Sequence, residues 1–307
     1  MFNFVVAIIL AGLLFPAGQA GFNFVTQKAV DYSYSTQSEN EITTPQRLVN
    51  KSLGIKTTAK SILVIDKDSG KVLYDKNSQV ASSIASISKL MAALVFLDYN
   101  PGFDQEITMV KEDQKEGGFV YLFTDEKVKV KDLFQLALIA SSNEALSALA
   151  RSTGQDNFIA LMNQKAFELG MTNTYFADPT GLAPANVSTP ADLVKLAQAA
   201  FARPEIAEAV KTKEYNFKVL NNQRPVKAES TDRLLGSFLD SEPYQIVGAK
   251  TGYLDEAGYC LLIEVKRAEG QTLILALLGA SDQTSRWQEA KGLVDWVFAN
   301  YDWPNSQ

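Results

Sequence analysis

Histidine is absent from all 307 residues. A Ser-His-Asp or Cys-His hydrolase cannot be assembled without it. Catalytic zinc centres also lean on histidine, so the chain implies no metal and no other cofactor. Any general base must be a Lys, Glu, Asp or Tyr side chain. Cysteine is reduced to one residue, Cys260, which excludes an intramolecular disulfide. It lies in the apolar run Gly258-Tyr259-Cys260-Leu261-Leu262-Ile263 and reads as a core residue rather than a reactive thiol. A basic excess is missing too. Lys and Arg number 29 against 35 Asp and Glu, a net charge of −6, which is no footprint for nucleic acid.

What is present is globular. Apolar residues make up 46% and charged residues 21%, enough to fill a sizeable core. Residues 2–15 are almost wholly apolar, and small residues follow at Ala17, Gly18 and Ala20. Residues 1–20 are therefore expected to be a signal peptide, although no Lys or Arg precedes Lys28. An uncleaved anchor is the alternative, and it leaves room for weak membrane association. The run is shorter than the roughly 20 residues a spanning helix needs. Residues 21–58 read as an irregular lead-in, and 59–303 as one domain with no second domain after it.

Within that domain, Ser61–Asp66 reads as a strand, 67–70 as a turn and 71–74 as the return strand of a hairpin. Helical periodicity covers 86–97, with Leu90, Ala93, Leu94 and Leu97 as its apolar stripe. Further helices are expected at 131–140, 144–151, 156–169, 190–202 and 286–299, and late strands at 258–266 and 272–279. The order is strands, then helices, then strands. It predicts an α/β domain of the α+β type, an antiparallel sheet built from both chain ends and covered by helices.

Three short motifs follow one another along this scaffold. In Ser86-Ile87-Ser88-Lys89, residues three apart share a helix face, so the Lys89 amine can reach the Ser86 hydroxyl. Burial can lower a lysine's pKa until it serves as a base. Taken alone, the motif is better read as a serine N-cap and a solvated lysine. Ser141-Ser142-Asn143 sits between two helical stretches and offers a hydroxyl and an amide to one cleft, or an ordinary helix cap. Lys250-Thr251-Gly252 is the most specific of the three, with a chance expectation of about 0.08 in a chain of this composition. It offers a cation and a hydroxyl to a carboxylate, and a glycine that lets another backbone approach. It precedes the strand-like run at 258 and reads as lying at a strand; an ordinary turn is the alternative.

In this order and spacing the motifs resemble those of penicillin-binding proteins and serine β-lactamases. The resemblance over residues 59–300 is to low-molecular-weight penicillin-binding proteins of the D-alanyl-D-alanine carboxypeptidase family. It extends to Asp68–Tyr74, to Asp178-Pro179-Thr180-Gly181-Leu182 and to Tyr253 with Ala257-Gly258. The resemblance implies a transpeptidase-like fold with a mainly helical subdomain. Ser86 is then the acylated nucleophile, Lys89 takes its proton, and Ser141 relays a proton to the leaving amine. Asn143 holds the peptide, Lys250, Thr251 and Gly252 bind at the terminal carboxylate, and the backbone N–H groups of Ser86 and Tyr253 form the oxyanion hole. The implied partners are the peptidoglycan stem peptide and, as covalent inhibitors, β-lactams. The implied place is the periplasm or the outer face of the cytoplasmic membrane. Glu229-Ser230-Thr231-Asp232 departs from the Asn-rich sequence common there in the family. Three other functions stay open at this point. An endopeptidase on the same scaffold would cut crosslinks. A class A β-lactamase would need a Glu-x-x-Leu-Asn-like loop, which is not found between 143 and 250. A non-catalytic wall-binding protein would leave the motifs idle.

Overall fold

The computed structural model describes residues 44–50, 52 and 54–304. The signal segment expected at 1–20, and most of the lead-in, lie outside the described residues. Five strands make the central sheet: β1 Ser61–Asp66, β2 Val72–Lys76, β3 Tyr244–Leu254, β4 Gly258–Arg267 and β5 Thr272–Ala280. Their order is β3-β4-β5-β1-β2, with every neighbouring pair antiparallel. Early and late chain segments meet at the β5-β1 seam, where Leu278 pairs with Ser61 and Leu273 with Asp66. The helices are α1 Ser88–Asp98, α2 Val130–Ile139, α3 Asn143–Ser152, α4 Phe158–Glu168, α5 Pro190–Phe201, α6 Pro204–Lys211 and α7 Gln283–Asn300.

Side chains alternate across a strand, and here both faces are covered. Ile62 and Val64 pack with Leu293, Val294 and Val297 of α7, whereas Leu63 and Ile65 pack toward α1 and α5. This explains why β1 and β5 are buried along their whole length and apolar in their interiors. The helical side forms the larger core, in which Phe96, Phe103 and Phe134 stack within 5.6–6.1 Å of one another.

The antiparallel sheet flanked by helices matches the expected fold class. Several details differ from the sequence reading. The 86–97 helix is split into a 3-10 turn, Ala85–Ile87, followed by α1. Helix α1 is buried from Ser88 through Phe96, so it is a central core helix and not an amphipathic one with a single apolar stripe. Helix α6, the hairpin Glu214–Lys218/Pro225–Glu229 and the extent of strand β3 were not anticipated. Lys250-Thr251-Gly252 is therefore strand and not turn. Within the stretch expected to be irregular, Gln46–Arg47 pairs with Tyr301–Asp302.

Candidate active site

The 3-10 turn places Ser86 at the entrance to α1, one residue after Ala85, whose φ is +49°. Left-handed backbone at a non-glycine residue is strained and persists only where its surroundings enforce it. The enforcing neighbours are backbone segments. A Cβ on Gly252 of β3 would lie 2.6 Å from the Ile84 carbonyl oxygen and 3.2 Å from the Ser86 nitrogen. A Cβ on Gly181 would meet the Ala85 carbonyl oxygen and come within 2.8 Å of the Ser86 nitrogen. Glycine at both positions lets two chain segments clamp the turn.

Lys89, one turn on, is fully buried. Its Nζ donates to Ser86 Oγ at 3.1 Å, to Asn143 Oδ1 at 2.7 Å and to the Thr180 carbonyl at 2.5 Å. Burial lowers its pKa from 10.5 to about 7, against the opposing pull of Asp178 and Glu144. An amine that is half neutral near pH 7 and touches a hydroxyl can accept that hydroxyl's proton.

Each contact to Lys89 has its own support. Ser142 caps α3 by accepting from Ala145 N, as the cap reading of the second motif expects. The cap fixes the start of the helix, where Asn143 reaches Lys89 with its carbonyl and donates through Nδ2 to Gly117 O at 2.9 Å. Ser141, at φ +58°, accepts from Lys250 Nζ at 2.8 Å. Thr180 belongs to a turn organised by Asp178, whose carboxylate accepts from Thr180 N and Oγ1, Gly181 N and Ala183 N at 2.6–2.8 Å. Burial pushes the Asp178 carboxyl up, but these bonds prevail and hold it below its usual value. Asn186 ties that turn to α1 by donating to Ser88 Oγ at 2.9 Å.

Lys250 is fully buried, and its pKa is pushed well below 10.5 by burial and by the Lys89 and Arg286 charges, with Asp232 opposing. Thr251 shares a 2.8 Å hydroxyl–hydroxyl bond with Thr231. Asp232 follows Thr231, in the segment that departs from the family pattern, and burial raises its carboxyl to about 6. Tyr253, half exposed, follows Gly252 on the same strand. Contacts thus join Ser86, Lys89 and Asn143, tie Ser141 to Lys250, and set Gly252 against the Ser86 backbone, with Thr251 and Tyr253 flanking Gly252 on β3.

Sequence reasoning missed Arg286, which it placed only as a helix start. Its Nη1 donates to Gly252 O at 3.2 Å and Cys260 O at 3.4 Å, and its guanidinium lies over the Trp287 ring at 4.1 Å. Burial lowers its pKa to about 10. It also missed Glu144 and Asn186, both almost fully buried. A buried polar side chain carries no periodic signal, so nothing local marked them.

Replacing Gly181 by Ala forces the Ala85–Ser86 backbone to move. The expected result is a fall of at least about 100-fold in acylation of the protein by penicillin, since sub-ångström misplacement of a nucleophile costs that much. Stopped-flow acylation, with a melting curve to confirm folding, checks it.

Among known families, the description "D-alanyl-D-alanine carboxypeptidase" fits residues 46–282. A D-alanyl-D-alanine endopeptidase of Pseudomonas aeruginosa is 32% identical over 77% of this chain and 76% of its own. A D-alanyl-D-alanine carboxypeptidase of Bacillus subtilis is 31% identical over 80% of this chain and 63% of its own. Penicillin-binding protein D2 of Listeria monocytogenes, solved in its cefotaxime-bound form, superposes with a TM-score of 0.69 at 29% identity, over 80% of this chain and 100% of that one.

Proposed function

The chain belongs to the D-alanyl-D-alanine carboxypeptidase family of serine peptidases, and from that premise we propose that it removes the terminal D-Ala from peptidoglycan stem peptides through an acyl-enzyme on Ser86. The observation that carries the reading is the 3.1 Å contact between Ser86 Oγ and a buried Lys89 whose pKa lies near 7.

Neutral Lys89 takes the Ser86 proton as Oγ attacks the carbonyl carbon between the two D-alanines. The carbonyl oxygen gains negative charge, which the Ser86 and Tyr253 backbone N–H groups receive; such preorganised donors are worth roughly 10²–10³ in rate each. The C–N bond then breaks. The leaving amine collects its proton from Lys89 by way of Ser141, whose hydroxyl bridges toward Lys250. Asn143 holds the amide of the acyl half, while Lys250 and Thr251 meet the terminal carboxylate. Water, activated in the same manner, cleaves the ester and restores Ser86. β-Lactams enter as covalent inhibitors by the same attack on a strained amide. The chemistry belongs outside the cytoplasmic membrane, where the wall is, which agrees with an apolar leader. No helix among the described residues is long and apolar enough to cross a membrane.

A second reading, crosslink-cutting endopeptidase, is favoured by the 32% identity to the Pseudomonas enzyme. Digestion of free pentapeptide beside crosslinked muropeptide dimers separates the two. Faster release of D-Ala from pentapeptide is expected; preferential loss of dimers would replace carboxypeptidase by endopeptidase.

A further inference from the structure

Exposed apolar side chains follow one another on the loop Gly117–Phe123, whose backbone meets Asn143 at Gly117. Phe119 is 72% exposed, Phe123 53% and Val120 37%. Apolar side chains gathered this closely on a surface mark a recognition surface more often than a scatter of single ones does.

The loop is fixed at its base and free at its tip. Asn143 Nδ2 donates to Gly117 O at 2.9 Å. The buried Glu144 carboxylate accepts from Tyr121 N at 2.7 Å and Leu122 N at 3.4 Å, and the Leu122 side chain is fully buried. Arg224 donates to Tyr121 O at 2.8 Å and lies over the Phe123 ring at 5.1 Å. The Phe119 ring makes an edge contact with Tyr121, at 4.6 Å between ring centroids, and is otherwise largely exposed among the described residues. The backbone beside Phe119 adjoins the site: a Cβ on Gly118 would lie 3.5 Å from Asn143 Nδ2, and one on Gly117 3.4 Å from the Leu182 side chain.

Position in the cleft selects the occupant. Asn143 spans from Lys89 to this loop, whereas Lys250 and Thr251 stand on β3, across the site. A substrate with its terminal carboxylate at Lys250 and its reacting carbonyl at Ser86 runs its acyl half past Asn143 toward Phe119. We propose that Phe119 is a specificity-determining residue that packs against the aliphatic side chain of the stem-peptide residue preceding D-Ala-D-Ala. This rests on the peptidase reading given above. An aromatic ring held on a braced loop offers a large apolar surface at small entropic cost.

The test compares N-acetyl-D-Ala-D-Ala with the same dipeptide extended by doubly acetylated L-Lys. Phe119→Ala is expected to lower kcat/KM for the extended peptide about tenfold while changing the dipeptide less than about twofold. Phe119→Leu is expected to recover most of the loss, and the rate at which 6-aminopenicillanic acid, which has no acyl side chain, acylates Ser86 stays as in the wild type. Equal losses on both peptides, or no loss on either, would overturn the proposal while leaving the peptidase reading intact. A wild-type protein that cleaves neither peptide and takes no penicillin adduct would sink the reading and the proposal together.

Discussion

Ser86→Ala is expected to lower kcat/KM for D-Ala-D-Ala peptides by at least about 10⁴-fold, the scale on which removing a serine nucleophile acts. The loss is chemical and not structural. Among the described residues Ser86 Oγ has one hydrogen-bond partner, Lys89, and that amine keeps Asn143 Oδ1 and the Thr180 carbonyl when the hydroxyl is gone. The melting temperature should therefore move little, because one hydrogen bond contributes about 1 kcal/mol net. A variant that loses activity while melting as the wild type does places the defect in the reaction. A variant that keeps more than a few percent of wild-type turnover would mean that another group carries the attack, and with no histidine in the chain the candidates are few.

The second large effect concerns Lys89. Lys89→Ala is expected to slow acylation by about 10²–10⁴-fold, the usual contribution of a positioned general base. Lys89→Arg is not expected to rescue it, because a guanidinium does not release its proton at accessible pH. The wild type carries its own signature. Burial depresses the Lys89 pKa from 10.5 to about 7, so the neutral amine is the minor form below pH 7 and the major form above it. The acylation rate should rise with pH, pass its half-point near 7 and then level off, with peptide and penicillin alike. A lysine with a depressed folded-state pKa binds fewer protons folded than unfolded between about 7 and 10.5. Its contribution to stability therefore increases across that window as pH rises and is least below 7. A profile flat from pH 5 to 9 would contradict the role given to Lys89.

Both effects are legible only from the three motifs taken together. The spacing of Ser86 and Lys89 lets the two side chains meet, but alone it fits a cap and a solvated lysine better; the clamp at Gly181 and Gly252 and the burial of Lys89 come from distant segments. The second motif was legible as residues, and its cap reading and its cleft reading turned out to be one structure: Ser142 caps α3 and thereby aims Asn143. The third was legible as a triplet at a strand, but the extent of that strand was not. Gly248 and Gly252 interrupt the apolar pattern of β3, and packing requires both, since added Cβ atoms would strike the Phe201 ring and the Ile84 carbonyl. The same close approach that builds the site hid the extent of the strand that carries it. Strands β4 and β5 were plain, because a sheet covered on both faces leaves unbroken apolar runs.

What could not be read was the support. Asn186 is 98 residues from its partner Ser88, and Arg286 is 34 residues from Gly252. Such contacts obey no period. Glu144 follows Asn143 and reads as an ordinary acidic residue in the first turn of a helix, yet it is buried and holds the Tyr121–Leu122 backbone. The sequence can nominate the groups that react; the groups that orient them come together only once the helices have closed over the sheet.

The central claim is a covalent bond to one hydroxyl. Intact-protein mass after brief exposure to penicillin, followed by peptide mapping, tests it most directly. One added penicilloyl group is expected on the wild type, mapped to Ser86, and none on Ser86→Ala. An adduct elsewhere, an adduct that survives Ser86→Ala, or no adduct with the antibiotic intact would contradict it.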